Sequence, residues 1–110
     1  MATTLDPKVY ERIGIASLIL FSIHSLNSKK EECTFGELVR ECFLLFPEAF
    51  KLSEYPRWPD SRRLDRSLRS LRQKGLIKGD PKTFFSLTKK GERGALETEK
   101  RFKQKRLEFK

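Results

Sequence analysis

The chain is predicted to be mainly α-helical with one small β-hairpin, an α+β fold ordered helix, helix, helix, hairpin, helix. Three observations predict it. Apolar residues recur at helical spacing in three segments between residues 7 and 74. A Gly79-Asp80-Pro81 turn separates two short apolar stretches. A long, strongly charged segment follows Thr88. With 110 residues and no low-complexity linker, residues 1–110 read as one domain, large enough to bury a core without disulfides.

The first helix is expected within residues 5–27. Asp6 can accept a hydrogen bond from an orphan backbone N–H, Pro7 suits the first helical position, and Leu5 can staple onto Tyr10. From Ile13 to Ile23 it is apolar on all sides, whereas a surface helix carries one apolar stripe. Two readings stay open: a fully buried central helix, or one that packs on the core and on a second subunit. Gly14, Ser17 and Ser22 interrupt the stretch, which falls short of the roughly 20 residues a bilayer span needs.

After the polar connection from Lys29 to Glu32, Thr34-Phe35-Gly36-Glu37 reads as a capping box. The helix it opens carries Phe35, Leu38, Val39, Cys42 and Phe46 at helical spacing and ends near Pro47. Pro47, Pro56 and Pro59 predict an irregular segment over 47–59, with Phe50, Leu52, Tyr55 and Trp58 folded back onto the core; the alternative is that Tyr55 and Trp58 meet a nucleic-acid backbone or base instead. Asp60 caps a third helix over 61–74, and Gly75 suits its C-terminal turn. Leu76 and Ile77 begin a strand. Thr83, Phe85 and Leu87 alternate along the returning strand, with Phe84 on the other face. Thr88 caps a last, basic helix over 89–110.

The formal net charge is +9, and it is unevenly placed. Residues 1–56 carry a net −2 and residues 57–110 a net +11. That asymmetry points to an acidic partner and puts the surface that meets it in the second half.

The third helix sharpens this. At roughly 100° per residue, Leu64, Leu68 and Leu71 share one side. Arg62, Arg66, Arg69 and Gln73 fall roughly opposite, at about 140–200° from Leu64. Arg63 and Arg72 flank the stripe, and Asp65 lies to one side. Arginine's planar fork can donate twice to guanine or clamp a phosphate, and glutamine can pair with adenine. Lys78, Lys82 and Thr83 surround the hairpin tip, where a backbone phosphate is reachable.

Two segments carry a resemblance. Leu64-Asp65-Arg66-Ser67-Leu68-Arg69-Ser70-Leu71-Arg72-Gln73-Lys74-Gly75-Leu76-Ile77 is similar to a recognition helix that turns through Lys-Gly into a wing strand. Phe85-Ser86-Leu87-Thr88-Lys89-Lys90-Gly91 resembles the close of that wing. Over roughly residues 7–95 the chain resembles the winged helix-turn-helix DNA-binding domains, here with an added C-terminal helix. The resemblance implies a helix-turn-helix over 34–74 and a wing over 76–88, with Arg62, Arg66, Arg69 and Gln73 facing a DNA groove. The 47–59 connection is longer than the turn of that family and offers an extra contact through Arg57. The candidate DNA-binding set is therefore Arg57, Ser61, Arg62, Arg63, Arg66, Arg69, Gln73, Lys78, Lys82 and Thr83.

The terminal helix carries Lys100, Arg101, Lys103, Lys105, Arg106 and Lys110. Ala95, Phe102 and Phe109 recur every seven residues, with Leu96 and Leu107 nearby. Exposed, Phe102 and Phe109 would need a cover. With the over-apolar first helix, this suggests a homodimer through residues 5–27 and 89–110. The alternative is a disordered basic tail or a stem of a longer protein.

No enzyme is expected. Cys33 and Cys42 lie nine apart beside a single histidine, His24, too few ligands for a zinc site within one chain. His24 reads as a packed residue. Spacing suggests no catalytic triad, phosphate loop or carboxylate pair, so no cofactor or metal is expected. The start lacks a signal-peptide pattern, so the expected location is cytoplasmic, or nucleoid-associated in a bacterium or archaeon. The expected function is binding of double-stranded DNA, sequence-reading or general, as a transcriptional regulator. Two other readings remain: a winged-helix protein-interaction module in a larger complex, and RNA binding.

Overall fold

A computed structural model of the chain describes residues 4–108, with side chains as far as Lys105. The first expected helix is in fact two. Asp6 caps α1, Pro7–Tyr10, by accepting from the Lys8 N–H at 2.9 Å. The chain then turns, and Gly14 adopts an extended backbone (φ −65°, ψ 152°) as the cap of α2, Ile15–Ser28. Glycine at this point favours a break, because it loses the most backbone entropy inside a helix. The break lets α1 fold over as a small apolar lid bearing Val9 and Tyr10, with Leu5 just before it, all three buried. The Leu5 N–H ties the lid to the Leu45 carbonyl at 3.0 Å.

α2 is the central helix. Leu18, Ile19, Leu20, Ser22, Ile23 and Leu26 are all buried, and together they occupy more than one side of it. The helix packs against α3, Phe35–Leu45, and α5, Ser61–Gln73, and also against α6, Lys89–Glu108, from the same chain. Its all-round apolarity is thus met within one chain. α6 buries Ala95, Thr98 and Phe102. The Phe102 ring packs edge-on against Phe21 at 4.9 Å and lies 5.7 Å from Phe46. Phe102 therefore needs no second subunit to cover it, and the segment is helix as far as Glu108 rather than a loose tail. Phe109, Lys110 and the side chains of Arg106 and Leu107 lie outside the described residues.

α3 starts as its sequence suggests, but the capping box is half made. The Thr34 hydroxyl accepts from the Glu37 N–H at 3.2 Å. The Glu37 carboxylate, instead of reaching back, meets Arg40 at 3.5 Å, and the Thr34 N–H donates to the Glu32 carbonyl. Further along, Glu41 is buried at 3% exposure but well served: its carboxylate accepts from the Ser25 hydroxyl at 2.7 Å and Lys29 Nζ at 3.1 Å. This clip joins α2 to α3 through a satisfied polar group, the condition under which burying one is tolerable.

The 47–59 segment is more ordered than its prolines predict. Pro47 opens a one-turn helix, α4, Pro47–Phe50, whose Glu48 N–H donates to the Tyr10 hydroxyl at 3.2 Å. Phe50 enters the core as expected, and Leu52 is half-buried. Tyr55 and Trp58 do not pack on the core: they stand 64% and 67% exposed.

After α5 comes a two-stranded antiparallel sheet, β1, Ile77–Lys78, and β2, Ser86–Leu87, paired Ile77 to Leu87 and Lys78 to Ser86. The returning strand is shorter than its alternation predicts. Asp80 draws Thr83 into a turn: Asp80 Oδ1 accepts from the Lys82 N–H at 2.8 Å, and its carbonyl accepts from the Thr83 N–H at 3.0 Å. The Phe85 N–H leaves the hairpin to donate to the Cys33 carbonyl at 2.8 Å, which ties the α2–α3 connection to the hairpin. Phe85 is buried and Phe84 is 53% exposed, on opposite sides as the alternation predicts. The chain is thus mainly helical with one small hairpin.

Candidate nucleic-acid interface

α5 is fastened at both ends before it presents anything. Asp60 Oδ1 accepts from the Arg63 N–H at 3.0 Å, and the Asp60 N–H donates to the Phe50 carbonyl at 2.6 Å. At the other end Gly75 takes a left-handed φ of +73°, and the Leu76 N–H closes onto the Leu71 carbonyl at 3.0 Å. Leu64, Leu68 and Leu71 are 1–3% exposed, which fixes the rotation of the helix.

With that rotation set, Arg62, Arg66, Arg69 and Gln73 are all exposed. Among the described residues Arg62, Arg66 and Gln73 have no side-chain hydrogen bond or ion pair. Arg69 differs, because its guanidinium meets Asp65 at 3.1 Å. The sequence put Asp65 off to the side, yet one helical turn is within its reach. Arg69 is exposed and Asp65 half-buried, and pairs at the surface contribute at most about 1 kcal/mol, so a phosphate can compete for Arg69.

The flanking arginines brace the frame. Arg63 Nη1 donates to the Ala49 carbonyl at 3.3 Å, holding α4 to the start of α5. Arg72 Nη1 donates to the Gly79 carbonyl at 2.9 Å, holding the hairpin tip to the end of α5. Arg63 thus joins the framework rather than the free donor face. Ser61 is exposed on the first turn of α5, and Arg57 is exposed in the preceding loop.

The hairpin tip is shaped by one close approach. At Gly79, where φ is +106°, a Cβ would lie 2.1 Å from the Phe84 carbonyl oxygen. Lys78, Lys82 and Thr83 are exposed around it, and so is Phe84. The Thr83 hydroxyl is within 3.2 Å of the Asp80 N–H, so Thr83 shapes the tip as well as lying on it. A cleft of about 320 Å³ separates α5 from the hairpin, with Arg69, Arg72, Asp65 and Asp80 in its walls. Both carboxylates are occupied, Asp65 by Arg69 and Asp80 by its own turn.

Tyr55 and Trp58 are the surface residues that sequence reasoning misplaced. The aromatic cluster of the core is made by Phe21, Phe46, Phe50 and Phe102 without them. The Tyr55-Pro56-Arg57-Trp58 turn was the available signal.

Elsewhere the chemistry is quiet. Burial pushes the thiols of Cys33 and Cys42 up to about 12, so neither is a ready thiolate at neutral pH. His24 is half-buried in α2. Among the described residues no three His, Cys, Asp or Glu side chains gather as metal ligands, and no helix is long and apolar enough to cross a membrane. In comparisons with family models, curated proteins and solved structures, nothing matches this chain.

Proposed function

We propose that this protein binds double-stranded DNA with the outer face of α5 in the major groove and the 78–83 hairpin on the adjacent backbone, in the manner of a winged helix. One observation carries the reading: Arg62, Arg66 and Gln73 stand exposed and uncommitted on the face opposite Leu64, Leu68 and Leu71. A helix fits the major groove, and these side chains match the acceptors and donors on base edges there. Lys78 and Lys82 lie on the second element that such a complex requires, and both are exposed. The braces from Arg63 and Arg72 favour this reading too, because a reading helix needs a fixed position relative to its wing. A transcriptional role follows from occupancy of a site and is part of the proposal. The homodimer through residues 5–27 and 89–110 is weakened as a proposal, since Phe102 and α2 are covered within one chain.

The test is fluorescence anisotropy with a random duplex of about 30 base pairs at low and moderate salt. Micromolar binding that falls steeply with salt supports the reading. Absence of binding at low salt sinks it and favours a docking module for an acidic protein.

A further inference from the structure

The turn before α5 is built as a rigid aromatic bracket. The Trp58 N–H donates to the Tyr55 carbonyl at 3.0 Å, closing a four-residue turn with Pro56 and Arg57 at its tip. Such closure places the two end residues within about 7 Å of each other. Pro56 stiffens the turn by fixing its own backbone angle. The Leu52 N–H donates to the Trp58 carbonyl at 2.9 Å, and Lys51 bridges Pro59, so the stem of the loop is paired as well. The loop is then anchored to the core by Asp60 on Phe50.

Onto this stiff stem the chain puts two large rings that the core does not use. Tyr55 and Trp58 are 64% and 67% exposed, and among the described residues neither ring meets another. Arg57, exposed between them, has no ion-pair partner among the described residues. The bracket leads directly into the end of α5 that carries Arg62 and Arg66. Two acids lie between α4 and α5, Glu54 and Asp60, and Asp60 is taken up in capping α5.

The bases of an intact duplex offer no free face, because each is stacked on its neighbours. An unpaired base does offer one, and stacking on tryptophan or tyrosine is a recurrent way to hold it. A cation at the same turn draws the phosphate of that nucleotide.

We propose that Tyr55, Arg57 and Trp58 form a stacking site for an unpaired nucleobase next to the duplex held by α5. The preferred ligand is then a duplex with a single-stranded extension. This inference rests on the duplex-binding reading above.

Trp58 is the single tryptophan in the chain, so it reports its own contacts. The experiment compares a blunt duplex of about 20 base pairs with the same duplex extended by about five unpaired thymidines on either strand, by anisotropy and by tryptophan emission. The expected result is about 5- to 100-fold tighter binding of an extended duplex, with Trp58 emission quenched at the same midpoint. Trp58→Ala and Tyr55→Ala should bring the extended duplex back toward the blunt affinity. Arg66→Ala should weaken both ligands alike. Equal affinity for blunt and extended duplexes, with unquenched emission, overturns this inference and leaves the duplex reading standing. Failure of both ligands to bind overturns both. Unchanged thermal midpoints for the alanine variants, expected because both rings are exposed, keep misfolding out of the comparison.

Discussion

Arg72 Nη1 donates to the Gly79 carbonyl at 2.9 Å, so α5 and the hairpin beside it are joined by a side chain. Arg72→Ala removes that joint. Because the contact is exposed, the expected cost is about 1 kcal/mol or less in global stability. The larger effect is local. Amide exchange over residues 79–85 should quicken, and urea midpoints should barely move. Unchanged exchange there would show that the hairpin is held by its turn alone.

Two glycines are required by close approach, and a third is not. A Cβ at Gly79 would lie 2.1 Å from the Phe84 carbonyl oxygen, and one at Gly91 would lie 1.9 Å from that of Leu76. Gly79→Ala and Gly91→Ala should each destabilise the fold by about 1–3 kcal/mol or more, read from chemical denaturation. Gly36, in the first turn of α3, has open space around it. Gly36→Ala should be neutral or stabilise by about 0.5 kcal/mol.

Phe102→Ala tests whether α6 belongs to the core. The ring is 3% exposed and meets Phe21 and Phe46. Truncation should cost about 3–5 kcal/mol, and the thermal midpoint should fall accordingly. A shift of under about 1 kcal/mol would mean that α6 is dispensable to the fold.

The buried thiols give stability a pH dependence. Their native values stand at about 12, against 9.0 for an unperturbed thiol. Below pH 9 both states keep these protons, and the contribution is complete. As pH rises from 9 toward 12 the unfolded chain ionises first, so stability falls, by up to ~1.4 kcal/mol per pH unit for each thiol. Tyr10, also raised by burial, adds to the loss above pH 10. Urea midpoints measured at stepwise higher pH should drop more steeply in the parent than in a Cys33→Ala, Cys42→Ala double variant. Parallel profiles would remove the thiols as the cause.

On DNA, Arg66→Ala should weaken binding at a preferred site by about 1–3 kcal/mol, with less loss on random sequence. Lys82→Ala should weaken all sequences about equally and lower the salt dependence. An unaffected preferred site in Arg66→Ala would rule out the proposed face of α5.

Local chemistry made much of this legible. Thr34, Asp60 and Thr88 each cap the helix expected of them, and Asp6 caps a helix that stops after one turn, because a cap needs only a side-chain oxygen and the next few N–H groups. The exposed face of α5 was legible too, since three leucines at helical spacing set the rotation. What failed was long-range. Tyr55 and Trp58 look like core by hydrophobicity, but the aromatic cluster of the core is built from Phe21, Phe46, Phe50 and Phe102, and both rings are left exposed.

Periodicity and capping determined by themselves that this is a helical chain with one hairpin and an arginine-lined third helix. Only the tertiary structure decided which arginines are free and which are braces. Helical spacing put Arg63 beside the leucine stripe and Arg66 opposite it, but only the fold brings the Ala49 carbonyl to Arg63 and leaves Arg66 with no partner among the described residues. It also placed α6 of the same chain against α2. The physical reason is the same in both cases. A helix face is fixed by residues a turn apart, whereas its neighbour is fixed by how the whole chain closes around a limited apolar volume.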